Sequence, residues 1–144
     1  ISNDDTNQLL LIDTNSSPAS VEQIQNARDW QWSDDHKQLL VASEFELTVL
    51  HFDGDRRQEL LLRLSSPFSD TAWDTEEKHA FLVTENSLRL VERDERDRRN
   101  IIEFVQNKKG LHILYLTKSG ETLYILADSD ENNLEKELIK INLR

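Results

Sequence analysis

Short apolar runs alternate with polar turns along this chain, and each run is too short for an amphipathic helix. In the middle of the chain the runs are rich in β-branched and aromatic residues, which favour strands. They predict strands at Asp29–Trp32, Gln38–Ser43, Glu46–Phe52 and Glu59–Leu64. Asp34–Lys37 and Asp53–Arg56 carry the Asp and Gly residues that tight hairpin turns require.

The same pattern returns after about 41 residues, as Trp32 is followed by Trp73. The second copy predicts strands at Asp70–Trp73, His79–Thr84, Ser87–Arg93 and Asn100–Val105. In this alignment Leu60-Leu61 corresponds to Ile101-Ile102, and Tyr115 takes the tryptophan position of a third copy. The remaining predicted strands are Asn7–Asp13, Ser20–Gln25, Leu111–Leu116, Thr122–Ala127 and Glu137–Leu143. Only Pro18–Ala27 and Asn132–Glu137 have any helical pattern, and we expect a loop or a single turn at both.

Four short antiparallel strands in every 40 to 42 residues are typical of a β-propeller blade. The predicted fold class is therefore all-β, a single β-propeller region over residues 1–144. It divides into a partial blade (1–26), two blades (27–67 and 68–108) and a second partial blade (109–144). An incomplete ring has unpaired strand edges, which tend to associate. We therefore expect either a longer parent protein or self-association between chains.

The segment Trp32–Val41 reads W-S-D-D-H-K-Q-L-L-V and resembles the W-S-P-D-G-K-x-L-x-[VY] unit of TolB-type, WD-like propeller repeats. Trp73–Val83 is a more degenerate copy. The family's turn glycine is replaced by His36 and Glu77, whereas Gly120 retains it. The repeats are also similar to those of bacterial envelope propellers, some of which carry PEGA-type β-domains. This resemblance implies a propeller fold and an extracytoplasmic location.

The tryptophans end inner strands, where a blade packs against its neighbour. We predict this packing role for Trp32 and Trp73, with ligand stacking as the alternative. Trp30 and Trp32 are two positions apart in a strand and therefore share one face.

The formal net charge is −11, and 37% of the residues are hydrophobic. Such an acidic surface repels nucleic acid and anionic lipid, and serves solubility or a cationic partner. No apolar run has the length of a membrane span, so no membrane insertion of this segment is expected. The chain has no cysteine, which excludes disulfides and thiolate metal sites, and no methionine, which suggests a processed or excised piece.

The residues that carry enzyme chemistry form no known motif here. There is no G-x-S-x-G elbow, and glycine occurs only at positions 54, 110 and 120, so no phosphate-binding loop is present. His36 and His79 fall at turns, while His51 and His112 fall in strands without a recognisable carboxylate partner. Asp53–Asp55 lacks the calcium-loop spacing, although Asp128–Asn133 is rich in oxygen ligands. The charges of Asp94–Arg99 nearly cancel, as in a solvated, salt-bridged loop.

The sequence therefore assigns no catalytic, cofactor-binding or metal-ligating residue. It favours a non-enzymatic binding or scaffold module for a protein or peptide, because propellers present loops on a rigid ring. The alternatives are an enzyme acting on glycans or peptides through acidic residues at the channel, and a purely structural spacer. A binder predicts an exposed apolar or aromatic patch on one rim, an enzyme predicts converging carboxylates of raised pKa in a central pocket, and a spacer predicts neither.

Overall fold

The computed structural model describes residues 2–3, 7–15, 17–94, 99–129 and 135–143. Within these ranges the chain forms antiparallel strands and no helix, so no helix here is long and apolar enough to cross a membrane. Sheet 1 contains β1 (Ser2–Asn3), β2 (Gln8–Asp13) and β3 (Ser20–Gln25). Sheet 2 contains β4 (Asp29–Trp32), β5 (Gln38–Ala42), β6 (Glu46–His51) and β7 (Arg57–Arg63).

Sheet 3 contains β8 (Phe68–Trp73), β9 (His79–Thr84), β10 (Ser87–Glu92) and β11 (Ile101–Gln106). Sheet 4 contains β12 (His112–Leu116), β13 (Thr122–Asp128) and β14 (Lys136–Asn142). In every sheet the strands are neighbours in chain order, and none of the four sheets closes into a barrel. These are the meander sheets of an incomplete propeller, which confirms the predicted fold class.

The two segments expected as loop or a single turn contain strands. Ser20–Gln25 pairs with β2, and Lys136–Asn142 pairs with β13 over its whole length. Both alternate in burial along the strand. A period of two is the pattern of a half-buried strand. The strands predicted at Ser20–Gln25 and Glu137–Leu143 are therefore confirmed, the second with a shift of one residue, and the loop expectation for the overlapping segments was wrong. Residues 132–134 lie outside the described residues.

The strand pairings correct two details of the repeat alignment. The bulge between Leu47 and Thr48 in the pairing of β6 with β7 has its counterpart between Leu88 and Arg89 in that of β10 with β11, so these bulges leave the alignment unchanged. The hairpin before β11 is longer than the one before β7. Because of this longer hairpin Ile102 faces Leu90 as Glu59 faces Val49, so Ile101-Ile102 corresponds to Gln58-Glu59 rather than to Leu60-Leu61.

The alignment of the third copy is shifted by one residue. A bulge in β12 lies between Ile113 and Tyr115. Leu116 therefore pairs with Leu123 as Trp73 pairs with Ala80 and Trp32 with Leu39. The tryptophan position of the third copy is Leu116, and the prediction of Tyr115 was wrong by this one residue.

The apolar core lies between successive sheets. Leu40, Val49 and Leu61 of sheet 2 are buried together with Phe68 and Trp73 of sheet 3. A second cluster, which includes Phe81, Leu88 and Ile125, joins sheets 3 and 4. A third and smaller cluster contains Leu9, Ala27, Leu39 and Val41 and joins sheets 1 and 2. Each sheet thus buries its faces against its neighbours, as propeller blades do.

The first hairpin of each complete repeat turns through a residue with positive φ. His36, Glu77 and Gly120 have φ of 58°, 56° and 70°, and the backbone N–H of each donates to the carbonyl three residues earlier. Only glycine adopts this conformation without a steric cost. His36 and Glu77 therefore keep the turn geometry of the repeat, although neither is the glycine that this backbone conformation favours.

Candidate functional site

Trp73 shows how a complete junction between two sheets is built. Its backbone N–H donates to the side-chain oxygen of Gln31 at 2.9 Å, and its indole N–H donates to the Gln31 carbonyl at 3.2 Å. The guanidinium carbon of Arg93 lies 5.2 Å from the centroid of the ring. Only 5% of Trp73 is exposed. The prediction that this tryptophan packs between blades is confirmed.

Trp32 occupies the same position in the preceding repeat and is 39% exposed. Its ring lies 5.1 Å from that of Phe52 and 6.4 Å from that of His36, centroid to centroid. Arg56 stacks over the other side of this group, 5.0 Å from the Phe52 centroid. The prediction that Trp32 is packed between blades was wrong, because sheet 1 places no inner strand against it in the part of the chain that the structure describes.

The exposed ring borders a groove of about 800 Å³ between sheets 1 and 2, which we call the Trp32 groove. One wall is β2, with Leu9 buried and Ile12 44% exposed. The other wall is Trp30, Trp32 and Leu39. The lining also includes several polar and charged side chains. Aromatic surface combined with placed polar groups is a common form of binding site.

Aspartates at corresponding positions join the inner strands. Oδ2 of Asp29 accepts hydrogen bonds from both the backbone N–H and the hydroxyl of Thr71, each at 2.7 Å. Oδ2 of Asp70 accepts from the backbone N–H of Ile113, also at 2.7 Å. In sheet 4 the position that corresponds to Asp29 and Asp70 is His112, which pairs with Leu126 and is exposed. The repeated aspartate therefore fixes each inner strand to the following one.

The pKa of the Asp70 carboxyl group is raised above its ordinary value. Burial raises the pKa of Asp70 to about 6, and the nearby Asp29 adds to the increase. The hydrogen bond from Ile113 opposes it, since it stabilises the ionised form. Two carboxylates of neighbouring inner strands thus lie close together, but both already accept hydrogen bonds that hold the sheets together.

A charged network lies at the outer part of the junction between sheets 2 and 3. Glu59 accepts hydrogen bonds from Arg93 and Arg99 at 3.2 and 3.0 Å and lies 3.0 Å from Nε2 of His51. Arg99 also donates to the carbonyls of Leu60 and Leu61. Burial acts to raise the pKa of Glu59, but the hydrogen bonds from His51 and Arg93 and the charges of the two arginines outweigh it and hold this pKa below its ordinary value. A groove of about 860 Å³ runs along this network.

The placement of the histidines differs from the sequence expectation at one position, His51. His36 lies in the first turn, as predicted, and His79 begins β9 with Nδ1 at 2.7 Å from Asp74. His51 is 3% exposed and bound to Glu59, so the expectation that it has no carboxylate partner was wrong. The partner comes from the adjacent strand β7, which sequence spacing alone does not place beside it.

The acidic loops form no site in the described residues. Gly54 supplies the positive φ of the Asp53–Asp55 turn, and Asp128 forms an ion pair with Lys136. Residues 130–133 of the Asp128–Asn133 cluster and residues 95–98 of the Asp94–Arg99 loop lie outside the described ranges. Arg99 itself is bound between two sheets, which differs from the solvated loop expected there. No group of three or more His, Asp or Glu residues capable of holding a metal ion occurs in the ranges given above.

Comparisons with known proteins support the fold alone. No protein-family model and no curated protein matches the sequence. A functionally unknown protein from Desulfotomaculum acetoxidans DSM 771 is similar in structure, at 11% identity and a TM-score of 0.47 over 96% of this chain and 64% of that one. A Bacteroides uniformis ATCC 8492 protein provisionally named a 6-phosphogluconolactonase matches at 14% identity and a TM-score of 0.50 over 96% of this chain and 54% of that one.

This chain therefore spans about two thirds and about half the length of these two structures. At such low identity the second likeness indicates a common architecture and says nothing about activity. The chain is an all-β protein of the propeller type, with two four-stranded and two three-stranded sheets in the described residues.

Proposed function

We propose that this chain is a non-enzymatic binding module for protein or peptide partners, and that the Trp32 groove is its binding site. The observation that supports it is the contrast between two equivalent tryptophans. Trp73 is 5% exposed, and Trp32 is 39% exposed beside the Trp32 groove. Aromatic residues are enriched at the centres of protein interfaces because they bury a large area at low entropic cost.

The test is affinity capture by the longest natural form of the protein, with the 144-residue chain as competitor. We expect a saturable partner that the wild-type chain displaces and that Trp32→Ala does not displace. Phe45→Ala is the matched control, because Phe45 is also 39% exposed but borders a different groove. Equal displacement by wild type and Trp32→Ala would contradict the site.

An enzyme acting on glycans or peptides is the second candidate, and the raised pKa of Asp70 beside Asp29 is the observation that favours it. Against it, both carboxylates are already engaged by Thr71 and Ile113. Hydrolysis of glycan and peptide libraries that disappears in Asp70→Asn would support the enzyme. A structural spacer remains the third proposal, and failure of the natural form to capture any partner would favour it.

A further inference from the structure

The two junctions between inner strands place an aspartate at the same position but give it different donors. Between sheets 2 and 3, Oδ2 of Asp29 accepts from both the backbone N–H and the hydroxyl of Thr71, each at 2.7 Å. Between sheets 3 and 4, the strand pairings put Asp70 at the position of Asp29 and Ile113 at that of Thr71. Ile113 has no hydroxyl group, so it offers Asp70 only its backbone N–H, at 2.7 Å.

The strands packed around Asp70 do little to compensate for this lost donor. Burial raises the pKa of Asp70 to about 6, and the charge of Asp29 on β4 acts in the same direction. The backbone N–H of Thr71 and the side chain of His112 on β12 oppose this increase in the pKa. On its own sheet Asp70 pairs with the apolar Val83 of β9, and β5 carries no ionisable residue.

We propose that the contact between Asp70 and Ile113 makes the junction of sheets 3 and 4 sensitive to pH, so that the junction opens locally more often once Asp70 has lost its proton. The closed junction holds the ionised carboxylate partly buried and close to Asp29, with one donor from sheet 4. Opening exposes that carboxylate to water, which stabilises its charge. In the other junction the Thr71 hydroxyl stabilises the carboxylate of Asp29 in the closed state. The proposal does not depend on the Trp32 groove.

Proton linkage sets the direction and the pH range of this response. The pKa of Asp70 is about 6 in the closed junction, and opening returns it towards the ordinary value of 3.8. The closed junction therefore binds the proton more tightly, and local opening increases as the pH rises from about 4 to about 6 and then becomes constant. We expect an increase of about tenfold, a value reduced for solvent screening at a half-buried side chain.

The test is amide hydrogen exchange of the 144-residue chain, followed by NMR from about pH 4 to about pH 7 and expressed as protection factors. Protection factors remove the intrinsic change of exchange rate with pH. We expect the protection factor of the Ile113 amide to fall about tenfold over this range. The Thr71 amide, which donates to Asp29 in the other junction, is the internal control and should change by less than about twofold.

Three variants test the cause of the response. Ile113→Thr adds the hydroxyl that the junction of sheets 3 and 4 lacks, and the fall in protection at position 113 should shrink to less than about twofold. Thr71→Val removes the hydroxyl from the other junction in nearly the same volume, and the amide at position 71 should then become dependent on pH. Asp70→Asn has no ionisation at this position, so protection of the Ile113 amide should not vary with pH.

Four results would overturn the proposal. The first is protection of the Ile113 amide that does not change with pH in the wild-type chain. The second is an unchanged pH dependence in Ile113→Thr, since the missing hydroxyl would then not be its cause. The third is a parallel fall at Ile113 and Thr71, which indicates unfolding of the whole chain instead of local opening. If Ile113→Thr does not fold, Asp70→Asn decides, and a pH dependence that persists in that variant is the fourth.

Discussion

Trp32 and Trp73 end corresponding inner strands, yet their surroundings differ. At Trp73 the neighbouring sheet supplies a strand whose Gln31 accepts two hydrogen bonds from the tryptophan, and Arg93 of the tryptophan's own sheet stacks on the ring. At Trp32 the neighbouring sheet ends at β1, and the ring faces a groove. The same side chain in the same type of strand is therefore a core residue at one junction and a surface residue at the other. What covers a blade face depends on the strands of the next blade, and not on the blade's own sequence.

The largest expected difference between the two tryptophans is in how much each stabilises the fold, measured as the free energy of unfolding. Trp73→Ala removes a buried indole and leaves a cavity, so we expect a loss of about 3 to 5 kcal/mol in the free energy of unfolding. Trp32→Ala removes a partly exposed ring and costs less than about 1 kcal/mol. Urea unfolding of the two variants measures both values. Equal losses would show that Trp32 is covered in solution.

The charged network allows a second comparison, between corresponding residues of the outer strands β7 and β11. Glu59 and Ile102 occupy corresponding positions, but Glu59 binds two arginines whereas Ile102 is 51% exposed. Glu59→Ala leaves Arg93 and Arg99 without their carboxylate and is expected to cost about 2 to 4 kcal/mol. Ile102→Ala is expected to cost less than about 1 kcal/mol. Chemical unfolding of both variants checks this order, and a reversed order would contradict the role of Glu59.

Asp70 predicts a pH dependence at the junction of sheets 3 and 4. Its pKa is raised to about 6, so the folded protein binds this proton more tightly than the unfolded chain does. The stability that it contributes is therefore present at low pH and is lost as the pH rises through about 6. In Asp70→Asn the side-chain oxygen still accepts the hydrogen bond from the Ile113 N–H. The amide does not ionise, so the variant does not lose this stability as the pH rises. At pH 7.5 we expect the variant to be more stable than wild type by about 1 kcal/mol, a value reduced for solvent screening at a half-buried side chain.

The measurement is thermal unfolding of wild type and Asp70→Asn between pH 4.5 and 7.5, at approximately constant ionic strength. The difference between the two curves should grow with pH. Asp55→Asn, on an exposed turn, is the control and should follow the wild type. A constant difference at every pH would show that Asp70 does not titrate in this range.

The smallest expected effects concern the turns next to the two tryptophans. His36→Gly removes a side chain from a residue with φ of 58° and should stabilise the protein by about 0.5 to 1 kcal/mol. Glu77→Gly relieves the same strain but loses the hydrogen bond from the Asp34 backbone N–H to the Glu77 carboxylate, at 2.6 Å, so its net effect should be within about 0.5 kcal/mol of zero. Melting temperatures of the two variants provide the test, and destabilisation by His36→Gly would contradict the strain.

Much of the fold could be read from the sequence because its signals are local. The period-two alternation of the strands and the Asp and Gly turns act within a few residues, and the recurrence of Trp32 as Trp73 shows that the same local pattern is repeated. The same local signals failed where a bulge or a longer hairpin shifted the register, as at Leu116 and Ile102. Bulges depend on how two strands pair, which one strand's sequence does not specify.

The candidate site was less predictable. Asp29 and Asp70 are visible in the sequence as a repeated residue, but their role in joining inner strands requires knowledge of which backbone N–H lies opposite. Glu59 and Arg93 are far apart in sequence and carry no spacing signal. Their contact exists only because β7 and the end of β10 meet at one junction.

The sequence by itself determined the type of strand, the turns and the repeat, since these depend on local backbone preferences and on the alternation of apolar and polar residues. Only the tertiary structure decided which equivalent residues are buried, which carboxylates are paired and where a groove remains. Burial and pairing depend on the neighbouring sheet. In the described residues no inner strand of sheet 1 covers Trp32, which is exposed, whereas the junction of sheets 2 and 3 buries Trp73.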